Sequence, residues 1–353
     1  MAVRGFTPRL ACVDATRANA ERQIAANRGT YDPRPVWTAN VAVGSGARGR
    51  GFGVLVTLAL VSVACAGPEG SSVKDGEPAV AATTLGLSAD ATVAGVDQIT
   101  VRVPKRFNVP YDGAARAEFP DGLPLSLGSG LRLSPNRRCR CDASNAEYTL
   151  IGLSDRGPNG DAPDYLDAAS VKHASKSYLV PDFTPELVTV RVRHGAAVVT
   201  HTEELSFGRH AAVGLPPAAF TTEIGVDQSL HALASSADGI DPEGLDFDAR
   251  GDAWISEEYG PSLLKVNTRS GQILRRLLPS AGLPAILSSR QVNRGFEGVA
   301  VAPSGKVYGL VQSTLDVDGK SKGLAQFIRL VELDPRTGAT RMFAYPHDVA
   351  AYK

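Results

Sequence analysis

The chain has 353 residues, with 37 Lys and Arg against 37 Asp and Glu, for a formal net charge of zero. That balance leaves no basic surface of the kind nucleic acid or an acidic membrane requires. With 36 Gly, 23 Pro and few sustained helical patterns, the sequence predicts a turn-rich, all-β body.

Residues 1–47 show no lasting periodicity; Arg4, Arg9, Arg17, Arg22, Arg28 and Arg34 are scattered among small and polar residues. They read as a disordered or mis-assigned N-terminal extension. Arg48 and Arg50 then precede an apolar run over 51–64, followed by Cys65-Ala66-Gly67-Pro68. A charged n-region, a short h-region and a small-residue exit predict a signal peptide over 48–66. The run is shorter than the roughly 20 residues that span a bilayer. Two processing outcomes stay open: cleavage after Ala64-Cys65-Ala66, or lipidation of Cys65, although Ser62 stands where lipoprotein signals usually carry Leu. Either makes the protein secreted or attached to the cell envelope, touching a membrane only through a lipid anchor. No Met lies between Met1 and Met342, so a start nearer the signal needs an alternative codon, such as Val41 or Val43.

Residues 67–97 are small and polar and predict a linker; the folded domain is expected over 98–353. Gln98–Val103 alternates like a strand and ends at Pro104. A first strand pair follows in Ser129–Pro135 and Tyr148–Asp155, leading into the expected loop Arg156–Asp164. Cys139 and Cys141 lie among Arg137, Arg138 and Arg140. They are too close for an easy mutual disulfide and lack a second Cys/His pair for a metal, so free thiols are expected. Glu186–Val192 alternates and turns at His194-Gly195 into Ala196–Val199, which predicts a hairpin belonging to a further repeat. Residues 205–235 read mostly as loop.

The densest pattern lies over 237–267. Gly244–Phe247, Ala253–Ser256 and Leu263–Val266 are short apolar runs separated by Asp248-Ala249-Arg250-Gly251 and Tyr259-Gly260-Pro261, an antiparallel meander. The phrase returns in Phe296–Val301, Val307–Val311 and Phe327–Leu333, with Glu243-Gly244-Leu245 and Glu297-Gly298-Val299 about 54 residues apart. Such a period, with several strands per unit, predicts a β-propeller of four-stranded blades.

Acidic residues gather where these strands begin and end. Asp155, Arg156, Asn159, Asp241, Glu243, Glu257, Glu258, Arg294 and Glu297 are the candidate site residues. Converging carboxylates repel one another unless a cation sits between them, and oxygen-rich clusters suit Ca²⁺. Metal binding is therefore assigned to Glu243, Glu257, Glu258 and Glu297, and catalysis to Glu243, Glu297 and Asp155. Arg156, Asn159 and Arg294 are assigned to substrate oxygens, since Arg binds phosphate or carboxylate bidentately. The plainer alternative is that Asp-Gly and Glu-Gly pairs shape turns and each Arg pairs with the nearest acid. Asp246–Asp252 looks superficially like a calcium loop but lacks the distal Glu, which predicts a hairpin turn. No Gly-x-Ser-x-Gly and no helical His pair is present, which argues against a serine esterase or a zinc hydrolase.

Leu153–Gly160, Asp241–Leu245, Trp254–Pro261 and Asn293–Gly298, in that order, resemble the secreted bacterial family known as esterase-like activity of phytase. The resemblance covers about residues 120–350. It implies an exported β-propeller and a name linked to phosphoester hydrolysis. Glu257 stands where the family usually has Asp. The resemblance also implies further strand pairs beyond Tyr345-Pro346, so the expectation is a C-terminally incomplete ring or one closed with fewer blades. The functional expectation is a metal-assisted phosphoester or ester hydrolase acting as a monomer on a small molecule. A non-catalytic envelope propeller binding a ligand or partner, and an inactive truncated fragment, are the alternatives.

Overall fold

The computed structural model describes residues 38–43, 54–55, 96–135 and 147–346. Most of the signal-like run, residues 67–95 of the expected linker, Cys12, Cys65, Cys139 and Cys141 lie outside the described residues. Chain contacts divide the protein into two units, Met1–Thr100 and Val101–Lys353. In the first, Thr38–Val43 pairs antiparallel with Val54–Leu55, and Thr38 to Ala42 pair with Thr100 to Val96. No helix among the described residues is long and apolar enough to cross a membrane.

Among its described residues the second unit is all-β apart from three 3-10 turns at Lys105–Phe107, Ala285–Ser289 and Val317–Gly319. Its body is a succession of three propeller blades of four antiparallel strands. The first comprises β1 (Gly130–Leu133), β2 (Glu147–Leu153), β3 (Glu186–Arg193) and β4 (Ala196–Glu204). The second comprises β5 (Pro242–Phe247), β6 (Ala253–Glu257), β7 (Ser262–Val266) and β8 (Ile273–Pro279). The third comprises β9 (Phe296–Val301), β10 (Val307–Val311), β11 (Phe327–Leu333) and β12 (Thr340–Pro346). Strand order follows chain order within each blade, and the innermost strands β1, β5 and β9 lie side by side.

The β3–β4 hairpin, expected in a further repeat, instead completes the first blade, with Leu150 opposite Val190 and Gly152 opposite Val188. Its membership is hidden in the sequence by the insertion between Leu153 and Glu186. That insertion carries strands of its own, Asn159–Leu166 and Lys172–Tyr178, with Ile224–Val226 added parallel at the edge. The expected loop is thus a strand from Asn159 onward, irregular between Ala162 and Tyr165 where Pro163 cannot donate to a ladder. Ser154 Oγ closes the base of the insertion by accepting the Glu186 N–H at 2.8 Å.

The cores lie between blades. Leu153 and Leu187 of the first blade meet Leu245, Ile255, Leu264 and Val266 of the second. Trp254, Leu263 and Leu277, on the opposite face of the second blade, meet Phe296, Val307, Val331 and Leu333 of the third. Each buried side chain of this size contributes roughly 1.5–3 kcal/mol. Burial on both faces explains why Ala253–Ser256 and Ser262–Leu264 read as continuous apolar runs rather than alternations.

Inner-strand contact dictates two of the recurring glycines, Gly130 and Gly244. A Cβ on Gly130 would fall 2.9 Å from Leu245 Cδ2 and 3.0 Å from Leu245 N; one on Gly244 would fall 3.0 Å from the Glu297 carbonyl oxygen. At the far ends of the same strands, Asp246 ties the blades together. Its Oδ2 pairs with Arg132 Nη2 of β1 at 2.8 Å and accepts the Val301 N–H of β9 at 2.7 Å. The Asp248–Asp252 segment is the expected hairpin turn, with Asp248 Oδ1 accepting the Arg250 and Asp252 N–H groups.

Candidate metal centre where the inner strands begin

Strands β5 and β9 open on matching irregularities. Pro242 pairs with Glu257 and Gly244 with Ser256, which leaves Glu243 as an extra residue. Phe296 pairs with Val311 and Gly298 with Leu310, which leaves Glu297 in the same position. A bulge removes one residue from the ladder and re-aims its side chain. Here both displaced residues are glutamates at the start of adjacent inner strands, and Glu297 is among the groups that disfavour the Glu243 charge.

The neighbouring strand ends add further acids. Leu153, Ser256 and Leu310 lie opposite Gly130, Gly244 and Gly298, so Asp155, Glu258 and Gln312 occupy equivalent positions two residues on. The Glu258 N–H donates to the Asp241 carbonyl at 2.9 Å. Asp241, Glu243 and Glu258 each offer a carboxylate oxygen within 4.8 Å of the others. Asp241 and Glu258 are buried.

Burial, then repulsion from Asp241 and the other acids, pushes Glu243 up to about 11. Burial and Asp241 push Glu258 up to about 9, against the pull of Arg156. Burial followed by Asp241 raises Asp155 to about 6, while the Gly157 N–H at 2.8 Å and Arg156 favour its charge. Glu297 is raised by burial and Asp241, with Arg156 and Arg294 opposing. Each of these carboxyls is thus disfavoured in its charged form, the condition that a nearby cation would relieve.

Arg156 is the principal positive charge against this cluster. Its backbone N–H donates to Asp241 Oδ1 at 3.1 Å, and its Nη1 lies 3.0 Å from Asp241 Oδ2. That close pair is misaligned: neither Nη1 nor Oδ2, both buried, makes a hydrogen bond among the described residues. Nη2 lies 4.0 Å from Glu258 Oε2, and the guanidinium carbon stands 5.6 Å from the Tyr259 ring centroid. Tyr259 in turn donates its hydroxyl to the Gly214 carbonyl at 2.7 Å and contacts the Tyr178 hydroxyl at 3.2 Å. This packing admits no side chain at position 214, where a Cβ would sit 1.8 Å from the Arg156 carbonyl oxygen.

Three carboxylates at this spacing, with one buried oxygen lacking a hydrogen bond, fit a hard cation that takes oxygen ligands.

Glu257 is turned away from this group. Its carboxylate accepts the Tyr259 N–H at 2.7 Å, the Gly260 N–H at 3.0 Å, the Ser262 hydroxyl at 2.7 Å and the Asp241 N–H at 3.3 Å. It therefore holds the turn that carries Glu258 and the start of β5. Asn159 gives its Nδ2 to the Gly157 carbonyl at 2.8 Å. Arg294 is exposed, near enough to Glu297 to favour its ionised form. The structure thus groups Asp155, Arg156, Glu243, Glu258 and Glu297 and sets Glu257 apart.

Asp241 stood among the candidate acids but was assigned no metal, and the structure puts it at the centre. Of the neighbouring residues, Tyr259 lay within the Trp254–Pro261 motif without a role assigned to it, and Tyr178 and Arg290 carried no signal. Arg290 fastens the same turn by donating its Nε to the Tyr259 carbonyl at 2.7 Å.

Comparison with known proteins adds a family relationship. A family model described as phytase-like, esterase-like activity of phytase, matches residues 142–353, more than half of the chain. An uncharacterized secreted protein of Arthroderma benhamiae is 30% identical over 138 residues, which is 31% of this chain and 27% of that protein. The chain therefore spans about a quarter of the length of the curated relative it matches. Among solved structures, a protein of unknown function from Bacteroides caccae shares 12% identity, covering 65% of this chain and 85% of that one with a TM-score of 0.25. A luciferin-regenerating enzyme shares 13% identity, covering 52% and 54% with a TM-score of 0.22.

Proposed function

The chain belongs to the phytase-like family of esterase-like activity of phytase, and from that membership we propose an exported, calcium-assisted hydrolase of small phosphoesters. The observation that carries the reading is the convergence of Asp241, Glu243 and Glu258 beside Arg156. Export is supported by the signal-like run over 48–66 and by the description of the Arthroderma benhamiae relative as secreted.

Asp241, Glu243 and Glu258 would hold the cation, with Glu297 adding negative charge from the next blade. Bound there, calcium supplies charge neutralisation and Lewis-acid polarisation of phosphoryl oxygens. The chain's own residues do the rest. Arg156 and Arg294 orient an anionic substrate by charge-assisted hydrogen bonds. Asp155, titrating at about 6, is ionised at neutral pH and able to accept a proton from an attacking water. Tyr178 and Tyr259, in contact through their hydroxyls, stand beside Arg156 at the edge of the cluster.

The test is hydrolysis of a phosphomonoester panel by the full chain, with and without chelator. Turnover that is lost on chelation and restored by calcium supports the reading. Calcium binding with no turnover across a broad phosphoester and ester panel replaces it with a ligand-binding propeller.

A further inference from the structure

The acidic cluster already contains a positive charge that belongs to the chain itself. We propose that Arg156 is its resident counter-cation, and that a divalent cation takes over Asp241 and releases the guanidinium for an anionic ligand. This rests on reading the cluster as a cation site, and it adds a coupling between cation and anion binding.

Three features support it. The Arg156 side chain is held by charge rather than by aligned hydrogen bonds, since Nη1 and Asp241 Oδ2 stand 3.0 Å apart with neither bonded. Its main chain, by contrast, is fastened to Asp241 Oδ1 through the N–H at 3.1 Å, so the side chain can leave while the loop stays. The Tyr259 face, 5.6 Å from the guanidinium carbon, offers a second seat next to the first. Charge count points the same way. Arg156 acts on Glu258 and Glu297 as well as on Asp241, with Arg294 beside Glu297 alone, so the carboxyls outnumber the guanidinium groups that face them.

A guanidinium and a metal ion cannot share Asp241 Oδ2 without strong repulsion at this range. Cation entry therefore weakens the Arg156–Asp241 contact, and by linkage an anion that draws Arg156 away strengthens cation binding by the same factor.

The experiment is calorimetric titration of calcium alone into chelator-stripped full chain at fixed pH, for the wild type, Arg156→Gln and Arg156→Lys. Arg156→Gln keeps a donor for Asp241 but removes the charge. It is expected to bind calcium at least about ten-fold more tightly than wild type, with Arg156→Lys close to wild type. A folded Arg156→Gln with equal or weaker affinity overturns the proposal while leaving the cation site intact. Failure of both wild type and Arg156→Gln to bind calcium overturns it together with the cation-centre reading. If Arg156→Gln does not melt cooperatively, inorganic phosphate titrated into wild type decides the matter. Phosphate is expected to bind at least about five-fold more tightly in saturating calcium; equal affinity overturns the proposal.

Discussion

Glu243 and Glu297 are the extra residues of two equivalent β-bulges on adjacent inner strands. In a regular ladder both would alternate with their neighbours and have a paired position on the next strand. The bulges free them toward the region where Asp241 and Glu258 lie, and their charges oppose one another. Glu243→Gln is expected to abolish calcium binding, and Glu297→Gln to weaken it by about ten-fold, because the second glutamate lies outside the 4.8 Å group. Calorimetry on both variants checks this; equal losses would contradict it.

Without a cation, stability should fall as pH rises. The folded-state values of Glu243 and Glu258, about 11 and about 9, lie above their ordinary value of 4.5. Between about 4.5 and 9 the folded chain thus binds more protons than the unfolded one, so unfolding becomes easier with each step up in pH. The stabilising protons are fully present below about 4.5 and are lost as pH approaches the folded values. Thermal melts of chelated protein at several pH values should show a declining midpoint. Calcium or Glu243→Gln should flatten that decline; a midpoint indifferent to pH would contradict the assignment.

Glu257 and Glu258 are adjacent acids with opposite expected phenotypes. Glu257→Ala strands the Tyr259 and Gly260 N–H groups and the Ser262 hydroxyl in a buried turn. It should cost about 2–4 kcal/mol of stability. Glu258→Gln should leave the melt nearly unchanged or raise it in chelator, and should lower calcium affinity. Chemical denaturation paired with calorimetry separates the two.

Asp246 offers a control remote from the cluster. Asp246→Ala removes the partner of Arg132 and of the Val301 N–H, at an expected cost of about 1–3 kcal/mol. Calcium affinity measured well below the melting point should remain that of the wild type. Gly244→Ala should differ, because its Cβ meets the Glu297 carbonyl at 3.0 Å and so pushes apart the two strands that carry the glutamates. It should lose both stability, by about 1–3 kcal/mol, and calcium affinity.

Much of this arrangement was legible in the residues. The Glu-Gly phrase marked the starts of two inner strands, in the first of which a Cβ on Gly244 would crowd the Glu297 carbonyl of β9, and the apolar runs matched strands of the second and third blades. The first blade was harder to read. Its four strands are split by the insertion between Leu153 and Glu186, and sequence distance gave no hint that Leu150 and Val190 are partners. Within the site, the Glu257-Glu258 pair signalled acidity but not direction. Alternation along the strand sends one side chain into the turn and the other toward Asp241, and only the ladder register decides which. Asp241 was marked as an acid before a strand, with no metal or catalytic role of its own. Its role emerges from Arg156, far away in the chain, which packs against it.

The central claim, that Asp241, Glu243 and Glu258 form a cation centre, is tested most directly by a crystal structure of the protein grown in calcium. The account predicts an ion bonded to oxygens of all three residues, with Arg156 Nη1 moved off Asp241 Oδ2. An ion bound only elsewhere, with the cluster empty and Arg156 still against Asp241, would contradict it.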